Sequence, residues 1–497
     1  MKPTLLKVLS LMLTMVVLLG VTACAGDRSD NNTETSTQGG NNEETTESPY
    51  DSNGFLKDNL PGDLNYGNRT FNVLGWETPY TEFYVDTTTG DAVDDSIYER
   101  NMAVETRLGV RLNYTLIPGD NANQKNYVDA ATSSILSGVG EYDLFGCYSM
   151  CAGTLATQSG VHNLIDLKYL DFSMLWWSDT LIEYSTVGDS LYFVTGDISN
   201  QFLYNLYFLI VNKNLLDSND LDDPREMVKA DTWTLDKMIE MTNGVYIDQS
   251  ADGQVGAGDI FGYVIYGAVH ADCWIAASGI PMASSDESGK ITLTDKFTGE
   301  ATFNLISKLN KWIWETNDVI YDTANGYNTI KSGNTLFGAV AGSTLSGFRD
   351  IDWVYGVLPY PKASDNAENY LTNLGFAYTN YCIPINASDA DMSAAVLECL
   401  ASESYRRSSN VLFDTVFKSR YSSDNLDYEM FDIIKSNIYV DMNRVFSSSF
   451  TWAQSAVALF RNSITGNAND WISKINGNKK YINSVLSNIS NNLGSRN

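Results

Sequence analysis

Trp76, Tyr148, the pair Trp176-Trp177 and Trp274 fall outside the regularly spaced apolar faces of the chain, in stretches that read as loops or element ends. A flat ring in such a place can stack on the C–H face of a polyhydroxylated ligand instead of filling a core. Asp197, Asn200 and Gln201, in the stretch GDISNQ, add groups that can hydrogen-bond a rim of hydroxyls. The supply of rings is generous, with 10 Trp and 29 Tyr in 497 residues. Core packing is the alternative for each of them. It is the expected role of Trp233, Trp312 and Trp314, which sit in helical contexts.

A second cluster could take a metal. Asp248, Ser250, Asp252, Gly253, the Gln254 carbonyl and Asp259 match positions one, three, five, six, seven and twelve of an EF-hand-type loop. Such a site would hold a structural calcium ion, bracing the loop before a strand. Asp259 replaces the usual long bidentate Glu, and Ser250 is a weak ligand. The other reading is a solvated acidic turn. No cofactor is otherwise required. The chain has no G-x-S-x-G, S-x-x-K, H-E-x-x-H or Walker A sequence. Two carboxylates would suffice for a glycosidase, but no pair is marked out among 61 Asp and Glu. With 32 Lys and Arg, the formal net charge is −29. That argues against nucleic acid, which needs clustered positive charge.

Six cysteines occur, and only two histidines, His162 and His270, in no zinc-like spacing. Cys24 closes an apolar run from Val8 to Val21, about 14 residues long, which follows Lys2 and Lys7. The run is short for a membrane span and suits a signal-peptide core. The ending Val21-Thr22-Ala23-Cys24 resembles a lipobox, with cleavage before Cys24 and lipid on its thiol. Residues 25–57, rich in Asn, Thr, Ser, Gly and Glu, bury too little apolar surface to fold. They read as a tether with a reach of roughly 30 Å. This places the protein outside the cell, attached to the membrane only through its N-terminal lipid. Cys147 and Cys151 could bridge there, but buried small hydrophobes is the favoured reading.

The elements that must position these groups alternate. Phe71–Trp76, Val110–Ile117 and Tyr142–Tyr148 read as strands. Between them lie a helix capped by Asp94 or Asp95 and ended by Gly109, and a helix Gln124–Ser137 stopped by Gly138. This β-α-β-α-β order implies an open parallel sheet with helices on its faces. Its ligand edge is the carboxyl end, where Trp76 and Tyr148 lie. Phe202–Val211 could cross between two lobes and Leu374–Ile383 could cross back. A second unit holds a helix capped by Thr234, strands Phe261–Gly267, Leu336–Ala341 and Trp353–Leu358, and an amphipathic helix Thr298–Thr316. Beyond Asp389 the chain reads as mostly helical.

Several segments, in order, resemble the family-one extracellular solute-binding proteins of bacterial ABC importers, in their sugar-binding branch. Leu206-Tyr207-Phe208-Leu209-Ile210-Val211-Asn212-Lys213 is similar to the first crossover of that family. Asp231 to Met238 is similar to its GKWTWDKL helix start. Asp248 to Val264, DQSADGQVGAGDIFGYV, is similar to its acidic loop and strand. Arg420 to Asp441 resembles a late segment. The resemblance runs from about residue 64 to the C-terminus. It implies an α/β, two-lobed, type II periplasmic-binding-protein-like fold, each lobe an open sheet flanked by helices and joined by crossover hinges. The lobes are expected at 58–206 and 207–378, with a return to the first over 379–450 and C-terminal helices, 451–497, on the second. It also implies capture of a carbohydrate, an oligosaccharide by expectation, by lobe closure in a monomer that delivers it to ABC permease subunits and is not an enzyme. Expected ligand-binding residues are Trp76, Tyr148, Trp177, Asp197, Asn200 and Trp274. A secreted glycosidase and a carbohydrate-binding adhesin are the alternatives. In one place the chain departs from the family: Gly342-Ser343-Thr344 stands where members often carry Gly-x-Trp.

Overall fold

Arg69–Trp76 (β1), Val110–Ile117 (β2) and Leu144–Tyr148 (β3) form the parallel sheet expected from the alternation of elements, in a computed structural model that describes residues 48–286, 290–364 and 366–494. Leu206–Asn212 (β4), Phe261–Ile265 (β5), Ala283–Ser285 (β6), Ile291–Leu293 (β7), Val319–Tyr321 (β8), Thr335–Ala341 (β9), Tyr355–Leu358 (β10), Thr372–Leu374 (β11), Thr379–Cys382 (β12) and Ile438–Tyr439 (β13) follow. The first sheet has the order β12-β3-β1-β2, with β12 antiparallel to β3. The second runs β13-β11-β4-β9-β5-β8, with β10 also on β4. It is mixed: β5 is parallel to β8 and β9, and β4 is antiparallel to β9, β10 and β11. Strands β6 and β7 pair with each other apart from both sheets.

Local sequence explains the helices of the first lobe. Helix Ala92–Leu108 starts at Asp91, one turn before the expected cap. Asp91 has extended backbone, and its carboxylate accepts from the Val93 and Asp94 amides. Asp95 instead accepts from the Thr89 and Gly90 amides, bracing the preceding turn. Gly109, at φ +59°, and Gly138, at φ +70°, end the two helices in the left-handed region that favours glycine. Val93, Ile97, Val104 and Leu108 face the sheet at helical spacing and are buried.

The lobes exchange chain at adjacent crossovers. Tyr207 lies opposite Asn373 and Leu206 opposite Leu374, so the outward and return segments run antiparallel side by side. The Gly375 amide donates to the Asn205 carbonyl at 2.8 Å. A side chain at Gly375 would put its Cβ 2.7 Å from the Tyr207 ring, so glycine permits this close pass. The return to the first lobe begins after the second crossover. It includes β12 and helix Ala390–Arg406, which packs on Ala92–Leu108, and Ser447–Ser449 also packs on helix Ser149–Thr157. Between these, helix Asn425–Ser436 and β13 lie on the second sheet. Asp427 holds that helix there, accepting from Arg225 Nη1 and the Val357 amide.

The folded body also begins earlier than the expected boundary at residue 58. Phe55 packs edge-on against Tyr405 at 5.7 Å, and the Leu56 carbonyl accepts from Arg406. Buried Asp58 takes Arg107 Nη2 at 2.6 Å and Arg406 Nη2 at 3.2 Å. Two guanidiniums and a few apolar contacts recruit a polar segment that composition alone assigns to the tether. Cys24 and the rest of that tether, through residue 47, lie outside the described residues.

Candidate ligand-binding cleft

A cavity of about 580 Å³ lies where the carboxyl ends of β2 and β3 meet the crossovers. The first lobe contributes Asn121 and Gln124, from the start of helix Gln124–Ser137, and Tyr148 and Met150, from the turn where β3 enters helix Ser149–Thr157. The crossovers contribute Asn205, Tyr207, Phe376 and Ala377. Val269 and Arg461 come from helices Val269–Ser278 and Ala456–Thr465 of the second lobe. Ser447, Ser448, Phe450 and Trp452 come from the chain between β13 and the latter helix. The position is the one that open α/β sheets offer a ligand, outside the carboxyl ends of their strands.

Packing behind the cavity orients its rings. Tyr148 stands edge-on to buried Trp76 at 5.3 Å, and Trp76 Nε1 donates to Thr379 Oγ1 at 2.8 Å. Burial pushes the Tyr148 and Tyr207 phenols well above their ordinary range, so both stay neutral donors. Trp452 and Phe376 meet edge-on at 6.2 Å. The Arg461 guanidinium lies 4.9 Å from the Trp452 ring centre, and that of Arg444 lies 4.3 Å from Phe376. Both arginines bind one fully buried carboxylate, Asp272. Asn205 Nδ2 donates to the Gln201 and Ala377 carbonyls, tying the two crossovers together. Ser447 Oγ is buried on the cavity wall without a partner among the described residues.

Of the six expected ligand residues, only Tyr148 lines this cavity. Trp76 is the buried support behind it. Trp274 does not face the cleft. It is fully buried in the second lobe among Tyr263, Trp312 and Tyr360, on helix Val269–Ser278, which is enclosed all round from His270 to Ser278. A helix buried on every side shows no amphipathic period, which is why Trp274 reads as a loop residue. Trp177 is also buried. Its Nε1 and that of Trp176 donate to Glu398, at 3.2 and 3.1 Å. Burial pushes the Glu398 carboxyl up to about 8, against the Asp171 amide and the two indoles, which favour its charge. Trp177 and Asp197 do come together, but around another cavity of about 420 Å³ with Phe202 and Lys435. Asp197 accepts there from Ser409 and pairs with Lys435 at 3.6 Å. Asn200 is fully buried at the start of helix Asn200–Tyr204.

Tyr207 and Phe376 were within reach of sequence reasoning, because both lie on segments expected to cross between lobes. Asn121, Gln124, Phe450, Trp452 and Arg461 carry no such mark.

A second contact spans the lobes. The loop after β1 sends Tyr80 onto Tyr204, stacked at 4.1 Å, and its hydroxyl donates to the Ser343 carbonyl at 2.8 Å. Buried Glu82 anchors this loop, accepting from Ser199 Oγ, the Gln201 amide and Tyr381. The Tyr80 contact thus falls on the segment where Gly342-Ser343-Thr344 replaces the aromatic of the family pattern.

In the acidic loop, the ends are joined by an Ile247–Ile260 bridge. Asp248 accepts from the Gly253 amide, Asp252 from the Gln254 amide, and Asp259 from the Ser250 and Gly256 amides and Tyr246. Among the described residues no three His, Cys, Asp or Glu side chains are grouped to hold a metal. Cys147 and Cys151 are buried and unbridged.

No family model and no curated protein matches the chain. Solved structures do. A cyclo/maltodextrin-binding protein complexed with maltotetraose superposes with a TM-score of 0.55 at 12% identity, over 82% of this chain and 96% of that one. The GacH receptor of Streptomyces glaucescens, described unliganded and with acarbose, gives 0.53 at 14% identity, over 84% and 98%. An ABC-transporter solute-binding protein of Thermotoga lettingae, bound with α-D-tagatose, gives 0.50 at 12%, over 84% and 100%. Taken with the two sheets, the paired crossovers and the cavity beside them, these likenesses give the chain the type II periplasmic-binding-protein-like fold of the sugar-binding proteins of ABC transporters.

Proposed function

We propose that the protein captures a carbohydrate between its lobes and delivers it to the permease of an ABC importer, held at the outer face of the bacterial cytoplasmic membrane by lipid on Cys24. The observation that carries this reading is the cavity at the crossovers. Tyr148, Tyr207, Phe376, Phe450 and Trp452 give it flat apolar surfaces. Asn121, Gln124, Asn205 and the unpaired hydroxyl of Ser447 supply donors and acceptors for a hydroxylated rim. Its volume suits a small ligand. The ligands named for the three structural neighbours are of this class.

A binding role also fits what the cavity leaves out. Glycoside hydrolysis needs two carboxyl groups flanking the scissile bond, and neither Asp nor Glu is among the residues around this cavity. Capture without conversion needs only lobes that close on the ligand, which adjacent crossovers allow. The anchor rests on the sequence around Cys24, and it would keep a soluble receptor near its permease. Thermal melting of the protein across a panel of mono- and oligosaccharides tests the reading. A saccharide should raise the melting temperature and be recovered intact. Release of reducing sugar would instead mark a hydrolase, and no shift with any saccharide would remove the proposal.

A further inference from the structure

The charges around the cavity run against those of the whole chain. Acidic residues outnumber basic ones 61 to 32, yet the one ionisable side chain of Asp, Glu, Lys, Arg or His type on the cavity wall is Arg461. Behind the wall, Arg444 and Arg461 share the single carboxylate of Asp272. Arg444 Nη1 reaches Asp272 Oδ2 at 2.7 Å, and Arg461 Nε reaches Oδ1 at 2.9 Å. Two guanidiniums against one carboxylate leave a local excess of positive charge beside the cavity.

Among the described residues no other acid forms an ion pair with either guanidinium. Asp441 is close in sequence to Arg444, but its oxygens accept from the Asn443 and Met282 amides. Asp120, beside the rim residue Asn121, turns its Oδ1 back to the Ala122 and Asn123 amides. Arg461 is also not fully used. Nε and Nη2 are spent on Asp272, while Nη1 donates to no group among the described residues. Its plane is fixed by Trp452 on one side and Asp272 at its edge. A guanidinium so held, on a cavity wall with one nitrogen to spare, is suited to a carboxylate or a sulfate.

We infer that the carbohydrate this cleft selects is acidic, bearing a carboxylate or sulfate that pairs with Arg461 while its ring packs on Trp452. The inference rests on the capture reading above and sharpens it to a ligand class. Ring stacking and hydrogen bonding by Asn121, Gln124 and Ser447 would serve neutral and acidic sugars alike. Arg461 is the group that distinguishes them.

Calorimetry on the intact protein tests this with matched probes: uronate-containing oligosaccharides, their carboxyl-reduced neutral counterparts, and sulfated oligosaccharides. The best uronate or sulfated ligand should bind at least about tenfold tighter than its neutral counterpart. Which of the two wins identifies the source of the charge. That preference should shrink as salt is raised from 0.05 to 0.5 M, by about threefold or more, because the pairing is electrostatic. Arg461→Gln should reduce the acidic-to-neutral ratio to within about threefold, and Arg461→Lys should restore part of it. Melting curves of both variants report whether they fold, and the salt dependence of the unaltered protein stands if they do not. A neutral saccharide bound as tightly as its acidic counterpart overturns the charge assignment and leaves carbohydrate capture standing. Failure of every saccharide, acidic and neutral, overturns capture and this inference together.

Discussion

At the scale of single residues, the same side-chain type serves two ends, and its neighbours decide which. Trp452 and Tyr148 present rings to a cavity, whereas Trp274 is enclosed by three other aromatics. Trp452→Ala and Tyr148→Phe are expected to weaken ligand binding, the first by about tenfold or more, ~1.4 kcal/mol per decade, with little change in melting. Trp274→Ala should instead cost about 3–5 kcal/mol of stability, as a large cavity in a core does. Urea denaturation of the three variants beside ligand titrations separates the effects. Glu398 gives a pH test. Its folded carboxyl lies near 8 against an ordinary 4.5, because burial penalises the charge. The unfolded chain therefore loses this proton first as pH rises. The stability it contributes is whole below pH 4.5 and falls as pH climbs to about 8. Glu398→Gln should flatten the fall in melting temperature over that window, and an unchanged slope would show that another group sets it.

At the scale of elements, helix boundaries followed the sequence closely where caps are local. Gly109 and Gly138 stop their helices as expected, and Thr234 caps its own, accepting from the Lys237 amide. Side-chain partners from distant segments were not legible in this way. Nothing near Tyr80 announces that it will seat on Ser343, 263 residues away. Tyr80→Phe keeps the stack on Tyr204 and removes one hydrogen bond between the lobes. It should weaken ligand binding by about two- to tenfold, the net worth of one such bond, chiefly as faster release in stopped-flow measurements. The acidic loop is a second case. Its spacing fits an EF-hand-type pattern, and its carboxylates accept from backbone amides. Calcium titrated to millimolar concentration, against a chelated control, tests for a structural ion, and no heat would leave a solvated acidic turn. A stoichiometric heat would show that the loop rearranges to bind the ion.

At the scale of the whole molecule, two sheets joined by antiparallel crossovers let closure be driven by a ligand that touches both lobes. A ligand bound only by the folded form should stabilise it by ~2.7 kcal/mol at a hundredfold excess over its Kd, read as a rise in unfolding free energy. The sequence by itself determined the α/β order, both crossovers and most strand and helix limits. These depend on periodicity, caps and composition within a few tens of residues. Only the tertiary structure decided the cleft. Tyr148, Tyr207, Phe376, Trp452 and Arg461 come from four separate stretches of chain, and each acquires its role from what packs behind it. Burial is a property of the assembled core, so the sequence could show that rings and polar groups abound but not which of them the fold leaves facing a ligand.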